Sequence, residues 1–327
     1  MKAYVYTHYG PPEVLQLKQV ATPVPADNEV LIRVCAASVN PLDWHFMRGE
    51  PLFIRLMLGL RRPKETRLGV DVAGQVEAVG RKITQFQPGD AVFGACRGAF
   101  AEYVCVTEDR LVLKPANISF EEAAAVPIAA ITALQGLRDK GQIQPGQRVL
   151  IDGASGGVGT FAIQIAKWFG TEVTAVCSTR NVERARSLGA DHVIDYTQED
   201  FTRSGRRYDL ILAANAFHSV FAYRRALSRD GICVKSGGKA TVPAMLLEPL
   251  LSLMLSVTGS RKLRGFIAKL SKEDMALLRD LLAAGKIVPV IDRRYPFSGL
   301  AEAVRYVEEG HAQGKVVITV ENGDDGV

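Results

Sequence analysis

The sequence predicts an α/β protein in which a doubly wound parallel sheet is inserted between the two ends of a β-rich domain. Three observations support this fold class. Short runs of alternating apolar residues, separated by Gly, Pro and Asp, fill residues 1–122 and are typical of strands and turns. In residues 123–271, short apolar runs alternate with helical stretches, the pattern of a parallel sheet covered by helices on both faces. Residues 272–327 return to strand-like runs, so we expect them to rejoin the first domain.

The composition is ordinary for a globular protein and excludes several other classes. Of the 327 residues, 47% are hydrophobic and 23% are charged, which excludes disordered and collagen-like chains. The net charge of +5 is not gathered into long basic blocks, which argues against nucleic-acid binding. The five cysteines include no C-x-x-C pair, which predicts reduced thiols, and "MKAYVYTHYG" lacks the apolar core of a signal peptide. We therefore expect a soluble, cytoplasmic protein.

In the β-rich first domain, strand-like runs end at turn-forming residues and one short helix interrupts them. Asn40 is suited to the N-cap of that helix, Pro41 to its first position and Gly49 to its end. The predicted strands of this domain are "EVLQLKQV", "EVLIRVCAASV", "GQVEAVG", "DAVFGAC" and "AEYVCV".

The inserted domain begins near an alanine-rich helix, because Ser119 and Glu122 have the spacing of a capping box. Beyond its end, "SKEDMALLRDLLAAG" predicts an amphipathic helix closed by Gly285. Strands that are buried on both faces take the form of continuous short apolar runs. The predicted strands of this domain are "RVLI", "EVTAVC", "HVIDY", "DLILAA", "GICVKSG" and "LRGFIA".

The stretch "GASGGVG", Gly153 to Gly159, directly follows the first of these strands and opens a helix. This strand–loop–helix context predicts a dinucleotide-binding loop rather than an ordinary glycine turn. Small residues let the backbone approach a pyrophosphate and let the helix pack on the strand, and the helix N-terminus offers free N–H groups. Ala154 departs from the strict G-x-G-x-x-G pattern at its first glycine, which such a turn tolerates. The predicted phosphate-binding residues are Ser155, Gly156, Gly157, Val158 and Gly159.

The end of the second strand predicts which dinucleotide is bound. An NAD enzyme carries a carboxylate for the ribose 2′-hydroxyl about twenty residues after the loop. In "VCSTRN", the corresponding residues are Ser178, Thr179 and Arg180, and no acid is among them. A hydroxyl and a guanidinium suit a 2′-phosphate, because arginine makes bidentate charge-assisted hydrogen bonds to phosphate. The sequence therefore favours NADPH, although Arg180 also fits a solvated residue that opens the next helix.

Five stretches of the chain resemble the medium-chain dehydrogenase/reductase superfamily: "VNPLDWHFMRG", "GVDVAGQVEAVG", "PGDAVFG", "GASGGVGTFAIQIAKWFG" and "GKVVI". They are most similar to its zinc-free quinone oxidoreductase branch, which includes zeta-crystallin and the reticulon-interacting protein homologues. The likeness covers nearly the whole chain. It implies a GroES-like catalytic domain, built from both chain ends, around an inserted Rossmann domain, with the active site in the cleft between them.

The zinc ligands of the superfamily are not matched in this sequence. Zinc-dependent members carry a catalytic cysteine where this chain has Asn40, and a histidine in a "GHE" element where it has Val70. The four-cysteine structural zinc lobe is missing as well. Since a catalytic zinc needs three protein ligands and a structural zinc needs four, we expect no bound zinc.

Without zinc, the resemblance implies an NADPH-dependent reduction of a quinone or an α,β-unsaturated carbonyl. The hydride goes to the β-carbon of an enone, and a proton from water or a side chain completes the product. The candidate catalytic residues are Asn40, which also fits a plain helix N-cap, and Asp43. Asp43 would need a pKa raised by burial, and its other expected role is to orient Trp44, His45 or Arg48. Two other functions stay open: a non-catalytic NADPH-binding sensor or interaction protein, and, less favoured, an alcohol dehydrogenase.

Further cofactor contacts come only from the resemblance. It implies Thr132 at the nicotinamide end and Asn215, Gly237 and Gly238 along the nicotinamide side. It also implies Tyr196 beside the adenosine half, where a packed strand-end aromatic is the alternative interpretation. Lys315 is implied to close over the cofactor phosphates.

Two apolar segments, 51–64 and 242–259, have no place in this machinery. Each fits the wall of a cleft for an apolar quinone or enone, which we favour. Each also fits a dimer interface or an ordinary buried lid helix. The third alternative is peripheral membrane contact through apolar residues ringed by arginine. The family resemblance implies a homodimer.

Overall fold

The computed structural model describes residues 1–215, 217–237 and 260–320. Its chain divides into two units. Unit 1 contains residues 1–128 and 270–327, and unit 2 contains residues 129–269. From the sequence, we expect the domain boundaries after residues 122 and 271.

Unit 1 is built around a mixed, mainly antiparallel sheet. Its strand order is β14-β15-β3-β4-β5-β7, and β6 also pairs with β3. The C-terminal strand β15 lies antiparallel to β3, so both ends of the chain contribute to one sheet. The strands of this unit are β1 (Lys2–Val5), β2 (Gln16–Gln19), β3 (Glu29–Val39), β4 (Asp71–Val79), β5 (Ala91–Ala95), β6 (Tyr103–Thr107), β7 (Leu111–Leu113), β14 (Ile291–Pro296) and β15 (Lys315–Thr319).

Unit 2 is built around a six-stranded sheet in which every neighbouring pair is parallel. Its order is β10-β9-β8-β11-β12-β13, so the chain runs outward from β8 in one direction and then restarts on its other side at β11. A ligand site forms at such a reversal, outside the carboxyl ends of the strands. The strands are β8 (Arg148–Asp152), β9 (Glu172–Cys177), β10 (His192–Asp195), β11 (Tyr208–Ala213), β12 (Leu227–Lys235) and β13 (Lys262–Gly265).

Two helices begin at the caps that the sequence indicates, and the alanine-rich stretch forms two helices, α3 and α4, rather than one. Asn40 is the N-cap of the first helix, Pro41 its first residue and Gly49 its left-handed end. Ser119 and Glu122 form the expected capping box, each accepting a hydrogen bond from the other's backbone N–H. The α-helices in the described residues are α1 (Pro41–Arg48), α2 (Phe53–Leu58), α3 (Phe120–Ala124), α4 (Pro127–Gln135), α5 (Gly157–Trp168), α6 (Val182–Ser187), α7 (Val220–Ala226), α8 (Lys272–Ala283) and α9 (Leu300–Glu308).

Each unit has its own hydrophobic core. In unit 1, α9 packs its Leu300, Val304 and Val307 side chains into the core formed by the mixed sheet. In unit 2, α5 buries Phe161 and Ile165. The predicted fold class, a β-rich domain with an inserted doubly wound parallel sheet, is confirmed.

Candidate active site

The glycine-rich loop lies at the carboxyl end of β8, next to the reversal of strand order in unit 2. Gly153 has a φ of +80°, a conformation that favours glycine, and its carbonyl accepts a hydrogen bond from the Gly156 N–H. Gly156 is the N-cap of α5, whose first turn contains no acidic residue. The first N–H groups of a helix have no intrahelical acceptor, so the start of α5 offers N–H donors to an anion.

The glycines of the loop have different spatial requirements. A Cβ atom on Gly159 would lie 2.1 Å from the Gly153 carbonyl oxygen and 2.7 Å from the Ala154 Cα, so no side chain fits there. Among the described residues, a Cβ atom on Gly156 would have one neighbour within 4 Å, the Gly153 carbonyl oxygen at 3.6 Å. The close packing of α5 on β8 therefore requires a glycine at position 159. At Gly156, in contrast, the neighbouring protein atoms leave room for a ligand.

The residue immediately before the loop is a buried acid that sequence reasoning missed. Asp152 ends β8, and its Oδ2 accepts a hydrogen bond of 2.5 Å from the Tyr223 hydroxyl on α7. Burial raises the pKa of the Asp152 carboxyl. Burial, followed by the nearby Asp152 charge, raises the pKa of Tyr223. Because this carboxyl is held inside the core by Tyr223, it is a structural support for the loop.

The carboxyl edge of this sheet also holds two of the residues expected on the nicotinamide side. Asn215 follows β11 and lies beside the loop, since a Cβ atom on Gly153 would come within 2.8 Å of the Asn215 Cβ. Gly237 follows β12, and a Cβ atom there would lie 2.3 Å from the Ala214 carbonyl oxygen. Gly238 lies outside the described residues. Thr132 is buried on α4 and belongs to unit 2.

The expected 2′-phosphate residues lie at the end of β9. Ser178 follows the strand directly, and Thr179 and Arg180 lie exposed in the short 3₁₀ helix Thr179–Asn181. The structure adds Asp195, which comes from the end of the neighbouring strand β10 and accepts a 2.5 Å hydrogen bond from the Thr179 hydroxyl. That hydrogen bond is the main reason why the pKa of Asp195 is lowered. An acid therefore lies beside this site, although the sequence of β9 shows none.

Tyr196 directly follows Asp195 at the same edge. Its side chain is 60% exposed, so it is not a packed core aromatic. Its backbone N–H donates to the Cys177 carbonyl at 3.0 Å, which places the ring at the end of β9 and β10. An exposed aromatic at this edge of the sheet is available to a ligand.

Unit 1 contains a buried polar cluster around Asn40. The Asn40 side chain donates from Nδ2 to Asp71 Oδ2 at 2.9 Å and to the Ser38 carbonyl at 3.4 Å. Its Oδ1 accepts a hydrogen bond of 2.6 Å from the Lys315 ammonium. Asn40 is only 3% exposed, so its amide is fully engaged within the protein.

Asp71 is the centre of this cluster and sequence reasoning missed it. Its carboxylate has no exposed surface, and Oδ2 accepts from the Ser38 hydroxyl at 2.7 Å and from Lys315 Nζ at 3.1 Å. Oδ1 accepts from the Ile128 N–H at 3.0 Å, in the first turn of α4. The Asp71 side chain thus joins β3, β4, β15 and α4, and the only available signal was its place in "GVD".

Lys315 lies in a different setting from the one the resemblance implies. Its side chain is 5% exposed, and its ammonium is bound to Asn40 and Asp71 within unit 1. A buried ammonium needs an anionic partner, which Asp71 supplies. The expected contact with the cofactor phosphates stays a prediction, and it would require Nζ to leave both partners.

Asp43 is buried beside this cluster and holds two backbone segments together. Its Oδ2 accepts from the Asn40 N–H at 2.8 Å, and its Oδ1 accepts from the Gly69 N–H at 3.0 Å. Burial raises the pKa of Asp43 to about 7, against the opposing effect of these two N–H donors. Asp43 therefore links the start of α1 to the segment before β4.

The expected role of Asp43 in orienting its helix neighbours is wrong. Arg48 pairs with Glu308, and His45 Nδ1 lies 2.8 Å from the Glu50 carbonyl oxygen. Trp44 stacks on the His45 ring with centroids 3.6 Å apart. The carboxyl of Asp43 turns inward instead, because the N-terminal turn of α1 and the Gly69 segment supply donors that would otherwise be buried without a partner.

Three comparisons with known proteins agree with this architecture. Residues 26–116 match the model described as "Alcohol dehydrogenase GroES-like domain", and residues 188–318 match "Zinc-binding dehydrogenase". A 2-methylene-furan-3-one reductase of Solanum lycopersicum is 37% identical over 97% of this chain and 79% of the relative. An NADPH-dependent alkenal/one oxidoreductase of Arabidopsis thaliana, chloroplastic, is 34% identical over the same shares. This chain belongs to the medium-chain dehydrogenase/reductase superfamily.

A solved structure of this superfamily agrees over nearly all of both chains. The quinone oxidoreductase from Coxiella burnetii matches with a TM-score of 0.84 and 31% identity, over 98% of this chain and 99% of that one. Among the described residues, no group of three or more His, Cys, Asp or Glu side chains is arranged so that it could hold a metal ion. The five cysteines are free thiols.

The two apolar segments differ in what the structure describes. Residues 242–259 lie outside the described residues. In residues 51–64, α2 exposes several large apolar side chains. Within the described ranges, the helices include none with the length and apolar character needed to cross a membrane.

Proposed function

We propose that this member of the medium-chain dehydrogenase/reductase superfamily is a zinc-independent, NADPH-dependent reductase of quinones or α,β-unsaturated carbonyls. The observation that carries the proposal is the glycine loop at the start of α5, beside the strand reversal of a parallel sheet. Two kinds of relatives support the substrate class, since one kind is named for alkenal and enone reduction and the other for quinone reduction.

The chemistry of unit 2 fits a dinucleotide with a 2′-phosphate. The start of α5 supplies N–H donors for a pyrophosphate, and the open space at Gly156 lets that group approach the backbone. The exposed Arg180 supplies a guanidinium for the 2′-phosphate at the end of β9. Asp195 opposes this preference by placing a carboxylate next to Thr179. We therefore propose that NADPH is preferred over NADH, with Asp195 limiting the preference.

When it is bound, NADPH supplies the hydride that reduces the substrate. The side chains of unit 1 then have to hold the backbone around the site in a fixed shape. We place Asn40 and Asp43 in that role, because both are buried and have their polar atoms bound within the protein. The proton that completes the product then comes from water.

Zinc independence follows from the donors available at the positions that the superfamily uses. Asn40 and Val70 stand where a catalytic zinc would need cysteine and histidine. Asn40 Oδ1 is already bound to Lys315, and its neighbour Asp71 is held by Ser38 and Lys315. The oxygen atoms of Asn40 and Asp71 are therefore already engaged in hydrogen bonds and are not arranged to coordinate a metal ion.

The decisive experiment is steady-state oxidation of NADPH and of NADH by metal-stripped protein with quinones, alkyl enones and simple aldehydes. We expect turnover with NADPH and a quinone or enone, no effect of chelator, and no gain on adding Zn²⁺. Tight NADPH binding without turnover on any acceptor would overturn the reductase and favour a sensor. Turnover restricted to aldehydes and restored by zinc would favour an alcohol dehydrogenase.

Two substitutions at the end of β9 and β10 test the cofactor preference. Arg180→Ala should weaken NADPH binding by roughly tenfold or more and leave NADH binding unchanged, since only NADPH carries the 2′-phosphate. Asp195→Asn should act in the opposite direction and strengthen NADPH binding, because it removes a negative charge beside the phosphate. The measurement is a titration of both cofactors by protein fluorescence. Equal losses for both cofactors in Arg180→Ala would contradict the 2′-phosphate assignment.

A further inference from the structure

Unit 1 has an apolar surface on α2 and at the two ends of this helix, made of side chains that belong neither to its hydrophobic core nor to its buried polar cluster. We call it the α2 face. Phe53, Leu56 and Met57 lie on α2, whereas Leu52 is its N-cap and Leu60 follows its C-cap. Single exposed apolar residues are common, but several of them within nine residues mark a candidate interaction site. The α2 face consists of Leu52, Phe53, Leu56, Met57 and Leu60, which are 69%, 43%, 74%, 76% and 65% exposed.

The opposite side of α2 is anchored firmly to unit 1. Ile54 is buried, and Arg55 donates from Nε to the Gly49 carbonyl at 3.1 Å and from Nη2 to the Arg48 carbonyl at 3.2 Å. The Arg55 guanidinium also lies over the Tyr9 ring, 4.7 Å from its centroid. The α2 face is therefore held outward by specific contacts, so ordering it on a partner requires little conformational entropy.

The residues that follow the α2 face are cationic. Arg61, Arg62 and Lys64 are exposed, and the Lys64 N–H donates to the Leu58 carbonyl at 2.7 Å, which ties this turn back to α2. No acidic residue occurs in the sequence between Glu50 and Glu65. Apolar side chains beside a cluster of basic residues are the combination that binds an anionic membrane surface.

We propose that the α2 face and Arg61, Arg62 and Lys64 dock unit 1 peripherally on a membrane that contains anionic lipids. The apolar side chains enter the boundary between headgroups and acyl chains, and the cations contact lipid phosphates. A second copy of this chain fits less well, because an isologous contact would bring two sets of these cations together. A protein partner is also less suited, since protein interfaces centre on aromatic and hydrogen-bonding residues and this face offers one aromatic ring.

The test is co-sedimentation of the full-length protein with vesicles, measured without substrate so that it is independent of the proposed reductase function. Vesicles of phosphatidylcholine with one quarter phosphatidylglycerol are compared with phosphatidylcholine alone. We expect binding to the anionic vesicles that weakens with added salt, because exposed charges are screened. Leu56→Ser with Met57→Ser should weaken binding roughly tenfold or more, since both apolar anchors are lost. Arg61→Glu with Arg62→Glu should weaken it by roughly 25-fold or more, since each cation contributes about fivefold.

Matched controls use exposed residues elsewhere in unit 1. Leu17→Ser with Val24→Ser removes two other exposed apolar side chains, and Arg81→Glu with Lys82→Glu reverses two other exposed cations. Both control variants should bind vesicles as the unmodified protein does. Both control variants should also keep their turnover of a water-soluble quinone without vesicles.

Three results would overturn the proposal. One is the absence of binding to anionic vesicles, or binding that the α2-face variants leave unchanged. Another is a loss of soluble-quinone turnover in Leu56→Ser with Met57→Ser, which would assign the α2 face to the substrate site. The third is a change of sedimentation velocity in that variant without vesicles, which would assign the face to contact with a second copy.

Discussion

Replacing Lys315 by methionine should lower the free energy of unfolding of unit 1. The substitution keeps the length of the apolar stem and removes only the ammonium. The Asp71 carboxyl, which has no exposed surface, then loses its cationic partner, and Asn40 loses the donor to its Oδ1. Removing one partner of a buried ion pair costs about 3–5 kcal/mol, because the other charge stays buried and uncompensated.

The structure places the expected loss at the lower end of that range. Asp71 retains the Ser38 hydroxyl at 2.7 Å, the Asn40 amide at 2.9 Å and the Ile128 N–H at 3.0 Å as donors. Each hydrogen bond to a charged group contributes about 1.5–3 kcal/mol, so these contacts keep part of the carboxylate's stabilisation. We expect the free energy of unfolding to fall by about 3 kcal/mol.

The assay exploits the two tryptophans, which lie in different units. Trp44 is on α1 in unit 1, and Trp168 is on α5 in unit 2. In a Trp168→Phe background, tryptophan fluorescence during urea unfolding reports on unit 1. Lys286→Met is the matched control, since Lys286 is exposed in the same unit and its loss should change stability by less than about 0.5 kcal/mol.

A second variant separates the ion pair from the packing of the lysine stem. Lys315→Met combined with Asp71→Asn removes both charges and should recover a large part of the lost stability, since no charge is left buried. Titration with NADPH completes the test. An unchanged free energy of unfolding in Lys315→Met, together with a tenfold weaker affinity for NADPH, would refute the reasoning and support a phosphate contact for Lys315.

The remaining predictions concern the glycine loop and the buried acid. Gly159→Ala should lower stability and abolish binding of NADPH and NADH, because its Cβ would lie 2.1 Å from the Gly153 carbonyl oxygen; Gly156→Ala should weaken cofactor binding at unchanged stability. Stability is measured by urea unfolding, and equal losses in the two variants would contradict this distinction. Folding raises the pKa of Asp43 from 3.8 to about 7, so the protonated carboxyl is the form that the folded protein favours. The contribution of Asp43 to the free energy of unfolding is therefore complete below about pH 4 and is lost as the pH rises through 7. The free energy of unfolding should fall by up to about 4 kcal/mol across that interval, and Asp43→Asn should flatten this dependence; parallel pH profiles for the two proteins would show that Asp43 is not its source.

Local sequence patterns predicted the elements well because the signals for starting and ending them are local. The Asn40–Pro41 start of α1, the Ser119–Glu122 capping box and the left-handed Gly285 after α8 are properties of neighbouring residues. The glycine loop was likewise recognisable, since strand, loop and helix follow one another directly in the chain.

Local sequence patterns could not predict contacts between residues that are far apart in the sequence. The acid beside Thr179 comes from β10 rather than β9, and only the parallel pairing of Asp195 with Cys177 brings it there. Lys315 meets Asn40 across 275 positions of sequence because β15 pairs with β3. No pattern along the chain encodes which buried donor meets which acceptor.

By itself, the sequence determined the fold class and the position of the glycine loop, and its motifs indicated the superfamily. These features depend on residue periodicity, turn chemistry and the spacing of motifs, all of which act over short stretches. Only the tertiary structure decided that Asn40 and Lys315 are bound to Asp71 and that the α2 face is turned outward. Burial decides the role of a polar or apolar side chain, and burial is set by the whole fold rather than by the residue's neighbours in the chain.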